Sequence, residues 1–167
     1  MKQKTLFQLL AMTILCSLLL APTNTLARKS VDFSGDWTLN EAKSNLGEGR
    51  FMSSSAITVK QEARSIIIER TRSGRNGQTR TSSETLTLDG KENINEGENR
   101  SSVTTVSMAD DGTSMTIKSD TKMSRQGQSF EMKSTETWTL NGKILTIKTT
   151  MSSQMGERYA TLVYDKK

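Results

Sequence analysis

The chain has 167 residues, 33% of them hydrophobic and 25% charged, with a net charge of +5 at pH 7. It contains no histidine, one cysteine and one proline, which removes imidazole-based triads, disulfides and His/Cys metal sites from its chemistry. Its 21 serines and 23 threonines fit either a disordered chain or one built from half-solvated strands, and spacing has to decide.

At the N-terminus, Lys2 and Lys4 precede an apolar run from Leu6 to Ala21, and Thr25-Leu26-Ala27 supplies small residues for cleavage. That order of charged, apolar and small residues predicts a signal peptide over residues 1–27 and export to the periplasm or beyond. Cys16, after the bulky Leu15, reads as a hydrophobe within the signal and not as a lipid attachment point. The run is shorter than the roughly 20 residues that span a bilayer, so no lasting membrane anchor is expected. Residues 28–167 suffice for one domain with one modest core. Their basic residues alternate with acids and hydroxyls without forming a run, the pattern of a solvated surface and not of a nucleic-acid footprint. Asn99-Arg100-Ser101 fits a glycosylation sequon.

From Lys29 onward, period-two alternation dominates, broken at glycine turns. It predicts strands over Asp32–Asn40, Ala56–Gln61, Ser65–Arg72, Gln78–Leu88, Ser101–Ala109, Thr113–Ser124, Ser129–Leu140, Ile144–Ser153 and Arg158–Asp165, with a weaker one near Asn93. Only Glu41–Gly49 offers a short helical turn. Asp89-Gly90 and Asn141-Gly142 are the strongest two-residue hairpin signals, because both tolerate positive φ.

The chain also repeats. Glu84-Thr-Leu-Thr-Leu-Asp-Gly-Lys91 returns as Glu136-Thr-Trp-Thr-Leu-Asn-Gly-Lys143, and Ala160-Thr-Leu-Val-Tyr-Asp-Lys-Lys167 is a fainter third copy. Each copy follows an Ile-containing strand and a glycine loop. Repeated up-and-down hairpins leave exposed edges unless the sheet closes, and closure makes a barrel. The expected fold is therefore all-β, an antiparallel barrel of about eight to ten strands. A solenoid would need more copies at a shorter period.

Alternation then assigns faces. Phe130, Met132, Ser134, Glu136, Trp138 and Leu140 share one side of their strand. The repeat carries that inward face to Ile66, Ile68, Arg70 and Arg72, and to Arg80, Ser82, Glu84, Leu86 and Leu88. It also carries it to Met115, Ile117, Ser119, Thr121 and Met123, and to Leu145, Ile147, Thr149 and Met151. Large apolar residues cluster toward the Asp-Gly and Asn-Gly turns, and polar ones toward the loops at Gly77, Gly127 and Gly156. The barrel should thus have a packed base and a polar, roomier mouth, the anatomy of a small-ligand pocket.

Phe33-Ser34-Gly35-Asp36-Trp37-Thr38-Leu39 resembles the Gly-x-Trp start of lipocalins and the Phe-x-Gly-x-Trp-Lys-Leu start of fatty-acid-binding proteins. Thr161-Leu162-Val163-Tyr164-Asp165-Lys166 is similar to the closing strand of the latter, Thr-Arg-Val-Tyr-Glu-Lys. Residues 32–167 therefore resemble a bacterial lipocalin-like domain of the calycin superfamily. The resemblance implies a barrel around a small hydrophobic ligand, with Gly35 and Trp37 structural and the indole plugging the base. Leu162 occupies the place of the fatty-acid binders' carboxylate-binding arginine, while Tyr164 is retained.

The expected ligand-binding residues are Arg70, Glu84, Met123, Phe130, Met132, Glu136, Trp138 and Tyr164. Arg70 should neutralise at least one of the two glutamates above a floor of Ile68, Leu86, Trp138 and Tyr164, and should orient a ligand's polar head. Glu84 and Glu136 also admit a second reading as a carboxylate pair for glycoside hydrolysis. Methionines on the inner face suit either a promiscuous pocket or an irregular core. The leading expectation is a non-enzymatic carrier of a small hydrophobic or amphipathic ligand, with no metal or cofactor. The alternative is a structural or protein-interaction barrel with a packed interior, which a cavity below about 300 Å³ would favour.

Overall fold

The computed structural model describes residues 30–47, 53–74, 77–125 and 127–167; the expected signal peptide lies outside them. Ten strands follow in chain order: β1 Gly35–Leu39, β2 Ala56–Gln61, β3 Ser65–Ser73, β4 Thr79–Thr87, β5 Asn93–Gly97, β6 Arg100–Met108, β7 Ser114–Arg125, β8 Gln128–Asn141, β9 Ile144–Ser153 and β10 Gly156–Lys166. All belong to one antiparallel sheet of order β4-β3-β2-β1-β10-β9-β8-β7-β6-β5. Because β10 returns to pair with β1, with Trp37 opposite Lys166, the meander curls into a nearly closed barrel. The fold is calycin-like.

Closure is incomplete at one seam. β4 and β5 are the two ends of the sheet, and no ladder joins them among the described residues. Asp89-Gly90, which reads as a hairpin turn, instead sits in the crossing between these strands. Gly90 does adopt positive φ, 76°, but the chain leaves β4 without folding back onto it. The Asn93 side chain spans the seam, accepting from the Thr87 backbone N–H at 2.9 Å and donating to the Thr104 carbonyl at 3.1 Å. At Asn141-Gly142 the hairpin forms as expected, with Asn141 opposite Ile144.

The first strand is shorter than alternation predicts. Asp32–Ser34 is not strand; it runs across the base of the barrel, tied by Val31 N–H to the Gly112 carbonyl at 2.9 Å and by Phe33 N–H to Gln61 Oε1 at 3.1 Å. Gly35 makes the corner at φ +144°, where a Cβ would come within 2.7 Å of Lys166 Cε. This is a conformation that side-chain-bearing residues rarely adopt. The corner drops Phe33 into the barrel beneath Trp138, ring edge to ring face at 5.9 Å and 88°. Trp37 donates from its indole nitrogen to the Phe33 carbonyl at 3.0 Å and carries Lys166 Nζ 5.2 Å above its ring. Phe33, Trp37, Trp138, Ile57, Ile66, Ile68 and Leu145 are sealed from solvent in one core. The base is solid.

After β1 the expected helical turn is a single 3₁₀ turn, Glu41–Lys43, capped by the Asn40 side chain on Lys43 N–H. Beyond it Asn45 bridges to Thr161 on β10, continuing the β1–β10 pairing after an interruption. Gly47 lies so close to the Tyr159 carbonyl, 2.1 Å from where a Cβ would stand, that no side chain fits there.

Candidate functional site in the barrel interior

Above the solid base the barrel opens into a cavity of about 440 Å³. Eight strands, β3 to β10, supply its wall, together with Ser54. The wall is rich in hydroxyls because inward positions that carry Ile or Leu near the base carry Ser or Thr one storey higher. Ile117 gives way to Ser119 and Thr121, and Ile147 to Thr149.

Arg70 occupies the centre. Its register opposite Ser82, two residues from the Ile68–Glu84 pair, aims it across the lumen. Nη2 donates to Glu136 Oε2 at 2.8 Å, and Nε lies 3.6 Å from Glu84 Oε1. The guanidinium also sits 5.5 Å from the Trp138 ring centroid. Trp138 donates from Nε1 to the same Glu136 oxygen at 2.9 Å. The expected pairing of Arg70 with both glutamates is therefore present, and Glu136 is its principal partner.

The electrostatics follow from that geometry. Burial alone would raise the Glu136 carboxyl, but Arg70 and the two hydrogen bonds outweigh it and hold the group below its ordinary value of 4.5. Burial would lower the Arg70 guanidinium, and Glu136 with Glu84 reverses this. Both members of the pair stay charged. Arg72, one storey higher, fares differently: burial and then the charge of Arg70 lower it, and its buried Nε has no hydrogen-bond partner in the protein. The Thr149 hydroxyl on the opposite wall is likewise buried without a partner. Tyr164, mainly through burial, is pushed up to about 12 and donates to the Ser54 carbonyl at 3.1 Å.

Of the residues expected to touch a ligand, Arg70, Glu84, Met132, Glu136 and Tyr164 line this cavity. Three do not. Trp138 is fully buried beneath Glu136 and positions that carboxylate from below; its aromatic face is used by Phe33. Met123 and Phe130 lie higher on the same inner face, where the long strands β7 and β8 rise past the cavity, and they line a separate pocket of about 210 Å³. The mouth is thus not uniformly polar: on the β7–β10 side it carries a methionine-rich ledge. Arg80 keeps its inward register opposite Arg72 but is exposed, because β4 has risen clear of the lumen there.

Reasoning from the sequence missed Ser54, Asn95 and Arg100 as wall residues. Ser54 precedes its strand, and β5 was only weakly legible. Arg100 begins β6 one residue before alternation predicts. Arg72, Ser119, Thr121 and Thr149 were assigned inward by alternation but not singled out.

No protein-family profile matches the chain, and no curated protein sequence matches it. Among solved structures it is similar to zebrafish ileal bile acid-binding protein, crystallised in complex with cholic acid. The TM-score is 0.48 and the identity 19%, over 81% of this chain and 98% of that one.

Proposed function

We propose that this protein binds a small amphipathic ligand inside the barrel, with an acidic head at Arg72 and Thr149 and an apolar body against Met132, Met151 and Leu162. The single observation carrying this reading is the cavity of about 440 Å³ whose wall presents a cationic guanidinium with an unpartnered buried Nε. Buried donors without partners are costly, and a ligand oxygen meets that need. The volume lies within the range of small-molecule pockets and speaks against the fully packed barrel. Arg70 is already neutralised by two carboxylates, so Arg72 is the guanidinium left for a ligand anion.

The reading is of a carrier, not a hydrolase. A glycosidase acid needs a carboxyl kept protonated by its surroundings, whereas Glu136 is held ionised by Arg70 and Trp138. Export by a cleaved signal peptide belongs to the same proposal and places the ligand in the periplasm or outside the cell.

The test uses two fluorescent probes of similar shape, anionic 8-anilinonaphthalene-1-sulfonate and neutral N-phenyl-1-naphthylamine. The protein should bind the sulfonate, and Arg72→Met should weaken it by about tenfold while changing neutral-probe binding little, with an unchanged melting temperature. Equal losses for both probes, or no sulfonate binding by the folded protein, would overturn the assignment.

A further inference from the structure

The rim pocket has a chemistry that ligand carriage does not require. Its apolar lining consists of Met123, Met132, Met151, Met155 and Phe130, without a leucine, isoleucine or valine. The sealed core shows the opposite choice, with Ile, Leu or Val at ten positions and methionine at one, Met115. A ledge needing only hydrophobic bulk would be filled equally well by leucine, since Leu and Met exchange at small cost. Selective use of sulfur at a solvent-facing rim calls for a property that leucine lacks.

Strand register explains how the sulfurs meet. Thr121 pairs with Met132 and Met123 with Phe130, which makes Met123 the diagonal neighbour of Met132 across β7 and β8. Ser134 pairs with Met151 and Met132 with Ser153, which makes Met151 its diagonal neighbour across β8 and β9. Diagonal neighbours on one face lie about 7–8 Å apart, within reach of long side chains. Met155 joins them from the β9–β10 turn, 80% exposed. Glu131 and Arg158 share the lining and offset one another in charge.

We propose that this rim pocket is a binding site for a soft monovalent metal ion, Cu(I), held by the thioethers of Met123, Met132 and Met151 and closed from the turn by Met155. Thioethers are soft, neutral donors that select Cu(I) over harder ions. Competing donors are scarce: the sequence has no histidine, and among the described residues no cluster of three or more His, Cys, Asp or Glu is placed to hold a metal. Flexible thioether side chains can adjust to the short reach a small ion demands. The site stands independently of what the larger cavity holds.

The experiment titrates Cu(I) anaerobically into the full chain against a colorimetric Cu(I) chelator, with carbon-13 methyl-methionine spectra recorded alongside. One equivalent should be retained, shifting the methyl signals of Met123, Met132, Met151 and Met155 but not those of Met108 and Met115. Replacing Met132 and Met151 together by leucine should weaken retention at least about tenfold. Should that double variant fail to fold, Met155→Leu at its exposed position must still weaken retention measurably. The proposal is overturned if the protein takes no Cu(I) from the chelator. It is equally overturned if the leucine variants retain Cu(I) as the parent does, or if Met108 and Met115 respond alike.

Discussion

Glu84 and Glu136 hold the same place in two copies of one repeat, yet they live in different environments. Glu136 is 21% exposed and receives hydrogen bonds from Arg70 and Trp138, whereas Glu84 is 41% exposed and meets Arg70 only at 3.6 Å. The difference begins two residues further along the chain. Trp138 offers an indole N–H to the carboxylate above it; Leu86, its counterpart, has nothing to donate. Position in the sheet adds to this, since β8 is paired on both sides while β4 ends the sheet at the open seam. A repeat therefore specifies a backbone and a face, and the neighbouring side chain decides whether an inward charge is fixed or merely tolerated.

The sharpest way to break this asymmetry is Trp138→Ala, which removes a buried aromatic and the support of Glu136 together. We expect a loss of about 3–5 kcal/mol in denaturant unfolding, with Trp138→Phe retaining most of the packing and losing only the hydrogen bond. Arg70→Ala follows, at about 3 kcal/mol, because it strands Glu136 beside a fully buried ring. Adding Glu136→Leu to Arg70→Met should recover much of that loss, and a double variant no more stable than Arg70→Met would show that burial of the carboxylate is not the penalty.

Smaller effects separate the two glutamates directly. Glu136→Gln should cost about 1–3 kcal/mol and flatten the acid limb of the stability curve. The folded Glu136 carboxyl lies below its ordinary value, so its contribution is present above about pH 4.5 and fades as pH falls through the folded value. Melting temperatures between pH 6 and pH 3 measure this. Glu84→Gln should change stability by no more than about 0.5 kcal/mol and leave the acid limb intact. Matching acid limbs for both variants would erase the distinction.

Most of the barrel was legible because its rule is local: alternation and glycine turns located all the strands, the weak one at Asn93 included. Arg70 and its two glutamates were legible for the same reason, since register follows from period-two spacing once one face is fixed. What stayed hidden depended on relations between strands. Nothing local says that Asp32–Ser34 turns under the barrel instead of extending β1, because that depends on Gln61 and Gly112 lying opposite. Nor does alternation tell how far a strand rises past its neighbours. Met123 and Phe130 have the inward parity expected of them, but β7 and β8, at 12 and 14 residues, carry them above the cavity. Trp138 was placed on the correct face, one storey too high.

The seam between β4 and β5 gives the molecule a mechanical weak axis. Everywhere else, parting two neighbouring strands tears a ladder of backbone hydrogen bonds; here it releases one asparagine clasp, on the order of 1 kcal/mol per bond. The sheet behaves less as a sealed cylinder than as a rolled strip held by a button. Backbone amides on β4 and β5 should exchange with solvent well before those of β8 and β9, which are paired on both sides. Arg70 and Glu84, reaching inward from the strip's β4 end, lie next to this opening. A solute can therefore reach the central charges sideways through the wall as well as from above, and its passage leaves the packed base undisturbed.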